Sequence, residues 1–174
     1  MQDALVRLAE GEIDALDDLY NLLSVRIFNY ARTIVKSKHA AEDITHDVFM
    51  RVLNAAARLS EMQNPVGYVM TITRNLSYDE LRKGHSSNVP LDEVREIADA
   101  AIVYDELPDA LSTLPAPQRE TIYLHYICGF SQKEVAGIMR VPLVTVKWRC
   151  KKAKQNLHKY FDGGSAHESI RVHN

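Results

Sequence analysis

Apolar residues recur at three- and four-residue intervals along most of the chain, and this spacing predicts amphipathic helices. The first predicted helix runs from Glu12 to Lys36, with a buried face of Leu16, Leu19, Leu23, Ile27, Ala31 and Ile34. The second runs from about His39 to Leu59, with an inward face of Ala41, Ile44, Val48, Val52 and Ala55. No stretch alternates convincingly between apolar and polar positions, as a half-buried strand would. The pattern therefore predicts an all-α protein.

A third predicted helix, "NPVGYVMTITRNLSYDELRKG", carries signals at both of its ends. Asn64 is placed as its N-cap, Pro65 as its first residue and Gly84 just beyond its last turn. After Gly84, turn formers and acidic residues replace the apolar pattern, apart from a short helical pattern near Asp92 to Ala101. We interpret this stretch as a long acidic linker.

Helical patterns resume after the linker. They predict helices at Asp109 to Leu114, Gln118 to Cys128, Ser131 to Met139, and Pro142 to about Phe161. The chain is thus predicted to hold two small helical domains, at residues 1–84 and 108–162, joined by the linker at residues 85–107. A flexible tail is predicted at residues 163–174.

The net charge of −2 hides a strong segregation of charge along the chain. Residues 115–160 contain nine Lys and Arg against two acids, a net charge of +7. Residues 84–112 contain seven acids against one Arg, a net charge of −6. This asymmetry predicts a basic module that binds a polyanion and an acidic segment that avoids or imitates one.

The last two predicted helices form a helix-turn-helix pattern. Ser131 and Glu134 make a capping box at the start of the first, and Pro142 restarts the chain as a longer cationic helix. The second helix of such a motif enters the major groove of DNA. An ordinary helical corner with a solvated charged face is the alternative interpretation. The buried stripe of the cationic helix is predicted to be Leu143, Val146, Cys150, Ala153 and Leu157, which places Trp148 on the opposite side.

Three blocks of the sequence, in this order, resemble the bacterial extracytoplasmic-function sigma factors of the sigma-70 family. "AEDITHDVFMRVL" is similar to the region 2 segment that docks on the β′ clamp helices of RNA polymerase. "NPVGYVMTITRNLSYDELRK" is similar to the segment that recognises and opens the minus-ten element. The stretch "LPAPQRETIYLHYICGFSQKEVAGIMRVPLVTVKWRCKKAKQNL" is similar to region 4, which binds the minus-thirty-five element. The linker segment "VPLDEV" also resembles the family.

The resemblance implies a set of DNA contacts in region 4. Lys147, Lys151 and Lys152 suit phosphates, and Thr145 and Arg149 are candidates for base edges. Trp148 would lie against a thymine methyl or a sugar, or else against a partner protein.

In region 2, the resemblance implies that core polymerase is bound by Asp43, Ile44, His46, Asp47 and Arg51. A solvated acidic face is the alternative for Asp43 and Asp47. The loop at residues 56–65 would capture an unstacked base. Rings and cations for single-stranded minus-ten DNA would come from Tyr68, Arg74, Asn75, Tyr78, Arg82 and Lys83.

The chain departs from the family pattern at four of its positions. Arg140 stands where most members have glycine, Val144 where they usually have glycine, and Trp148 where they usually have serine. His46 replaces a common glutamine. The first three departures bear on which promoter is recognised, and the fourth bears on the polymerase contact.

The resemblance implies a transcription initiation factor that recognises minus-thirty-five and minus-ten elements and helps open the DNA. Its implied partners are core RNA polymerase, through the β′ clamp helices and the β flap, promoter DNA, and an anti-sigma factor. The acidic linker would thread the polymerase's active-site and RNA-exit path, or would serve as a plain tether. A helix-turn-helix regulator that binds DNA without polymerase is the alternative function.

Catalysis and cofactors have little support in the sequence. His125, Cys128 and Cys150 suggest zinc, but no fourth ligand accompanies them, so we expect no metal, no cofactor and no enzymatic activity. The two cysteines are expected to be reduced and buried. No apolar run of about 18 residues and no signal peptide is recognisable, so we expect a cytoplasmic protein without membrane insertion.

Overall fold

The computed structural model of this chain describes residues 1–86 and 107–168, with side chains described at residues 1–83 and 110–162. Every regular element in these ranges is helical, which confirms the all-α prediction. The helices are α1 (Gln2–Ala9), α2 (Ala15–Val35), α3 (Lys38–Asn54), α4 (Ala56–Ser60), α5 (Pro65–Ser86), α6 (Leu107–Ser112), α7 (Ala116–Ile122), α8 (Gln132–Met139) and α9 (Leu143–Glu168). A π-helical turn, Tyr123–Ile127, continues α7. The predicted short helix near Asp92 to Ala101 lies outside the described residues.

The chain divides into two compact units. The first contains α1 to α5, and the second contains α6, α7, α9 and the residues of α8 up to Ala136.

In the first unit, α2, α3 and α5 pack around one apolar core, and α1 packs on α2 and α4. The predicted inward face of α2 is buried, except that Leu16 is only partly buried. Sequence analysis missed α1. Its signal was present, because Ala4, Leu5 and Leu8 share one face and are all buried, and Gly11 follows at a φ of +95°.

The single helix predicted from His39 to Leu59 is wrong, since the chain breaks at Ala55. Ala55 has a φ of −113° and a ψ of 9°, so it is not helical and starts the separate helix α4. This change of direction buries Ala56 and Leu59, while Ala55 itself is only half-buried. Burial of the Ala56 and Leu59 side chains contributes a favourable free energy, which offsets the loss of helical hydrogen bonds at Ala55.

The start of α5 agrees with the prediction, and its end does not. The Gly67 N–H donates to Asn64 Oδ1 at 2.8 Å, as expected for an N-cap. A Cβ at Gly67 would meet Asn64 Nδ2 at 2.8 Å, so glycine leaves room for this cap. The helix then continues through Gly84 to Ser86, because a glycine costs a helix only about 1 kcal/mol and does not block it.

The second unit is held by contacts of α9 with α6 and α7. Its core includes Leu111, Leu114, Ile122 and Ala153. Arg119, which sequence analysis counted in the basic module, is buried and donates to the Leu114 carbonyl at 3.2 Å. Arg119 thus donates hydrogen bonds to carbonyl groups at and just after the end of α6, and it does not contribute to the basic surface.

The turn between α8 and α9 has the local features that the sequence predicted. Ser131 and Glu134 form the capping box, with the Ser131 N–H donating to Glu134 Oε2 at 2.8 Å and the Glu134 N–H donating to Ser131 Oγ at 3.3 Å. The pKa of Glu134 is lowered by two hydrogen bonds to its carboxylate, the first from the Ser131 hydroxyl at 2.7 Å and the second from the Ser131 N–H. The Val141 N–H returns to the Ala136 carbonyl at 3.0 Å, which makes a Schellman motif at the end of α8. The helix α9 then runs to Glu168, through Gly163 and Gly164 and beyond the predicted end near Phe161.

Arg140 occupies the left-handed position of this motif, with a φ of 53°. A side chain with a Cβ costs about 1 kcal/mol or more in that conformation. We therefore predict that Arg140→Gly is more stable than Arg140→Ala by about 1 kcal/mol, although both changes remove the same charge. Urea unfolding of the full chain followed by circular dichroism measures the difference. Equal midpoints for the two variants would contradict the strain at Arg140.

Candidate nucleic-acid and polymerase interfaces

The helix α9 buries one side against its own unit and exposes the other. Val146, Cys150 and Ala153 are buried, and Leu157 packs partly against the same core. The prediction was wrong for Leu143, which is exposed at 39% because it lies at the edge of the stripe, about 60° from Val146 around the helix. Burial raises the pKa of the Cys150 thiol, which keeps this core position uncharged at neutral pH.

The outward side of α9 is cationic. Lys147, Lys151 and Lys152 are exposed, and Trp148 between them is 55% exposed, as the helical phase predicted. Thr145 and Arg149 are half-buried, so the two base-edge candidates lie at the flank of this surface. Residues 143–161 contain no acid.

Lys154 belongs to a different surface of α9. Its Nζ lies 4.9 Å from the centroid of the Tyr126 ring on the π-helical turn. A hydrogen bond with Tyr126 raises the pKa of Lys154. This lysine therefore contributes to the contact between α9 and the π-helical turn.

In the first unit, α3 presents the predicted polymerase-binding residues, and one of them needs correction. Asp43, His46, Asp47 and Arg51 are exposed, but Ile44 is only 5% exposed and belongs to the core. Ile44 thus supports the acidic residues from beneath and is not available as a surface contact. His39 Nε2 lies 4.0 Å from Asp43 Oδ2.

Sequence analysis missed two apolar residues on the exposed side of α3. Met50 and Leu53 are 47% and 37% exposed. The helical period would have found Met50, because it lies about two turns beyond Asp43 and within about 20° of it around the helix. The exposed side of α3 therefore combines acids with an apolar side chain.

The six residues predicted for minus-ten DNA all lie on α5, with different exposures. Asn75, Arg82 and Lys83 are exposed, whereas Tyr68, Arg74 and Tyr78 are half-buried. The two exposed cations have acidic partners one turn away, Arg82 with Asp79 and Lys83 with Glu80 at 3.5 Å. Such exposed ion pairs contribute little to the stability of the fold.

Arginines already stack on the two tyrosines of α5. The Arg74 guanidinium lies 4.5 Å from the centroid of the Tyr78 ring. Arg58, from α4, lies 5.0 Å from the centroid of the Tyr68 ring and donates to the Tyr68 hydroxyl. Arg58 was missed, because its contact spans ten residues and two helices and leaves no periodic signal.

The base-capturing loop predicted at residues 56–65 is mostly helical. Residues 56–60 form α4, which leaves residues 61–64 as the loop before α5. The helix α1 braces this region, since Gln2 Nε2 donates to the Ser60 carbonyl and lies 3.5 Å from the Met62 carbonyl. The short loop is thus held from both sides, by α1 and by the Asn64 cap.

The residues considered for zinc do not gather into a metal site. Cys128 and Cys150 are buried and are not joined in a disulfide, and His125 Nδ1 lies 2.6 Å from the Phe130 carbonyl. Among the residues with described positions, no group of three or more His, Cys, Asp or Glu could hold a metal ion. In the same part of the chain, no helix is long and apolar enough to cross a membrane.

In the part of the chain that the structure describes, one unit has an acidic helix face and the other has a cationic helix-turn-helix, which is typical of a DNA-binding protein. Comparison with known protein families identifies the family to which this protein belongs. The Sigma-70 region 2 family matches residues 19–86, and the Sigma-70, region 4 family matches residues 104–157. Together these ranges cover well over half of the chain, which belongs to the extracytoplasmic-function sigma factors of the sigma-70 family.

Relatives and solved structures agree with this assignment. An ECF RNA polymerase sigma factor SigK of Mycobacterium sp. (strain KMS) is 25% identical over 84% of this chain and 83% of its own length. SigM of Bacillus subtilis (strain 168) is 24% identical over 86% of this chain and 96% of its own. The sigma factor RpoE of Bartonella quintana, solved with the anti-sigma factor NepR, has the same fold, with a TM-score of 0.71 at 23% identity over 86% of this chain and 98% of that one.

The protein is therefore a transcription initiation factor that binds core RNA polymerase and directs it to promoters. Matches to both sigma regions exclude the alternative of a helix-turn-helix regulator that acts without polymerase.

Proposed function

We propose that the two units divide the work of promoter recognition. Residues 1–84 bind core polymerase through the exposed acids of α3 and engage the minus-ten element through α5. Residues 108–162 bind the minus-thirty-five element through α9. The observation that supports this division best is the segregation of exposed charge, with Asp43 and Asp47 on α3 and no acid among residues 143–161 of α9.

In the upstream contact, Lys147, Lys151 and Lys152 neutralise phosphates and position the helix, while Thr145 and Arg149 reach base edges from the flank. Half-burial suits the second role, because neighbouring side chains hold these two in one orientation. In the minus-ten contact, Tyr68, Asn75 and Tyr78 line the single strand, and Arg74, Arg82 and Lys83 supply positive charge. A base unstacked from the non-template strand is captured beside residues 61–64.

The finer assignments are part of the same proposal. The acidic linker at residues 85–107 passes through polymerase, and the second unit also meets the β flap. An anti-sigma factor controls the protein, as suggested by the solved complex of a similar fold with NepR. The protein acts in the cytoplasm, as a binding factor and not as an enzyme.

Reconstitution tests the function directly. The full chain is mixed with core RNA polymerase and a library of promoter fragments, and run-off transcripts are sequenced. We expect discrete start sites downstream of shared minus-thirty-five and minus-ten elements, and none with core enzyme alone. A chain that binds core enzyme but directs no promoter-specific transcripts would contradict the proposal.

Salt dependence tests the assignment of α9. For a duplex carrying the upstream element, log affinity falls as log salt concentration rises. Lys152→Ala should make this negative slope shallower by about one, since one phosphate contact is lost. Lys154→Ala is the matched control, because its side chain lies on Tyr126 and it should leave the slope unchanged. Holoenzyme binding measured by fluorescence anisotropy at several salt concentrations gives both slopes. Equal slopes for the two variants would remove Lys152 from the DNA contact.

A further inference from the structure

Two large apolar side chains stand on the most exposed line of α9. Val144 is 71% exposed and Trp148 is 55% exposed, and they lie four residues apart, one above the other on the helix surface. Both belong to the first two turns of α9, the part of a recognition helix that contacts base edges. We call this pair the apolar ridge.

The charged residues that border the ridge are all cations. Lys147 and Lys151 are exposed on one side of it and Lys152 on the other, and residues 143–161 include no acid that could pair with them. Cations that flank an apolar strip in this way are complementary to the two phosphate backbones that flank a DNA groove. The apolar group that the major groove presents between two phosphate backbones is the C5-methyl of thymine.

From this we infer that Val144 and Trp148 select promoters by contacting thymine methyl groups in the upstream element. This inference deepens the proposed function and rests on it, since it assumes that α9 enters the major groove. Four residues of helix rise about 6 Å, and stacked base pairs are about 3.4 Å apart. The two contacted methyls therefore belong to base pairs about one or two steps apart.

The test removes single methyl groups without changing base pairing. Holoenzyme made from the full chain and core polymerase first selects its upstream element from a randomised library. Each thymine of the selected element is then replaced by uracil, one position at a time, and the binding of each duplex is measured by competition. We expect about a three- to tenfold loss of affinity at one or two positions and no loss at the others.

Variants connect each methyl to a side chain. Trp148→Ala should bind the thymine and uracil duplexes equally at one of these positions, and Val144→Ala should do so at the other. Lys152→Ala should bind all duplexes less tightly and keep the full preference for thymine. Because both ridge side chains are exposed, neither variant should lower the melting temperature by more than about 2 °C.

Several outcomes would overturn the inference while leaving the proposed function intact. They are a selected element without thymine, a holoenzyme that tolerates uracil at every upstream position, or ridge variants that keep the thymine preference. Any of these, with normal promoter-directed transcription, would show that the ridge does not select promoters through thymine methyl groups. Failure of the proposed function looks different, because the holoenzyme would then select no upstream element at all.

Discussion

Replacing Asp43 and Asp47 together with arginine should lower the affinity of the chain for core RNA polymerase by about a hundredfold, because opposed like charges cost several kcal/mol. Both carboxylates lie on the exposed side of α3, where the proposed interface meets cations. Ile44 and Val48 hold this part of the helix from the core, so the fold should survive the change. Fluorescence titration of labelled chain against core enzyme measures the affinity, and circular dichroism checks the helix content.

The control uses another acid on the same helix. Glu42 is exposed but lies about 100° around α3 from Asp43, so Glu42→Arg should change the affinity by less than about threefold. Met50→Ala tests the apolar part of the surface and should weaken binding with no change in charge. Wild-type affinity in the double arginine variant would show that core polymerase binds elsewhere.

The second large effect is expected in strand opening. Tyr68→Ala should reduce open complexes by about tenfold or more while sparing closed complexes, because stacking on an aromatic ring contributes about 1–3 kcal/mol per base. Unstacking a base has to be offset by such a pocket. Permanganate reactivity of thymines near the start site measures the opening, and gel mobility measures the closed complex.

Two further variants separate this role from packing, since Tyr68 also packs against the core and contacts Arg58. Tyr68→Phe keeps the ring and loses the hydrogen bond to Arg58, so it should open DNA nearly as well as the native chain. Asn75→Ala changes an exposed side chain that supports no core, and it should reduce opening without lowering the melting temperature. Native permanganate reactivity in both Tyr68→Ala and Asn75→Ala would remove this face of α5 from the single-strand contact.

The acidic side of α3 and the cationic side of α9 illustrate how a small sigma factor can be built from ordinary helices. In each case a buried stripe fixes the helix against its own unit, and the side chains opposite it are left for a partner. The chemistry of the partner then follows from the residues on the exposed line. For this reason we propose a role in specificity for Val144, which has no charge or hydrogen-bonding group of its own.

The sequence by itself determined the features that depend on neighbouring residues. The helical period placed the buried faces of α2 and α9 and the exposure of Trp148. The Asn64 cap and the Ser131–Glu134 capping box were predictable because each is closed by groups only three residues apart. The family resemblance, which is confirmed, also rests on local blocks of sequence.

Only the tertiary structure decided the features that depend on distant partners. The break at Ala55, the buried Arg119 and the stacking of Arg58 on Tyr68 each follow from a neighbouring helix that the local pattern does not reveal. Thr145 and Arg149 were candidates for base edges, and the structure shows that both are half-buried. The helical period predicts the direction in which a side chain points. The neighbouring helices determine how much of that side chain is exposed to solvent.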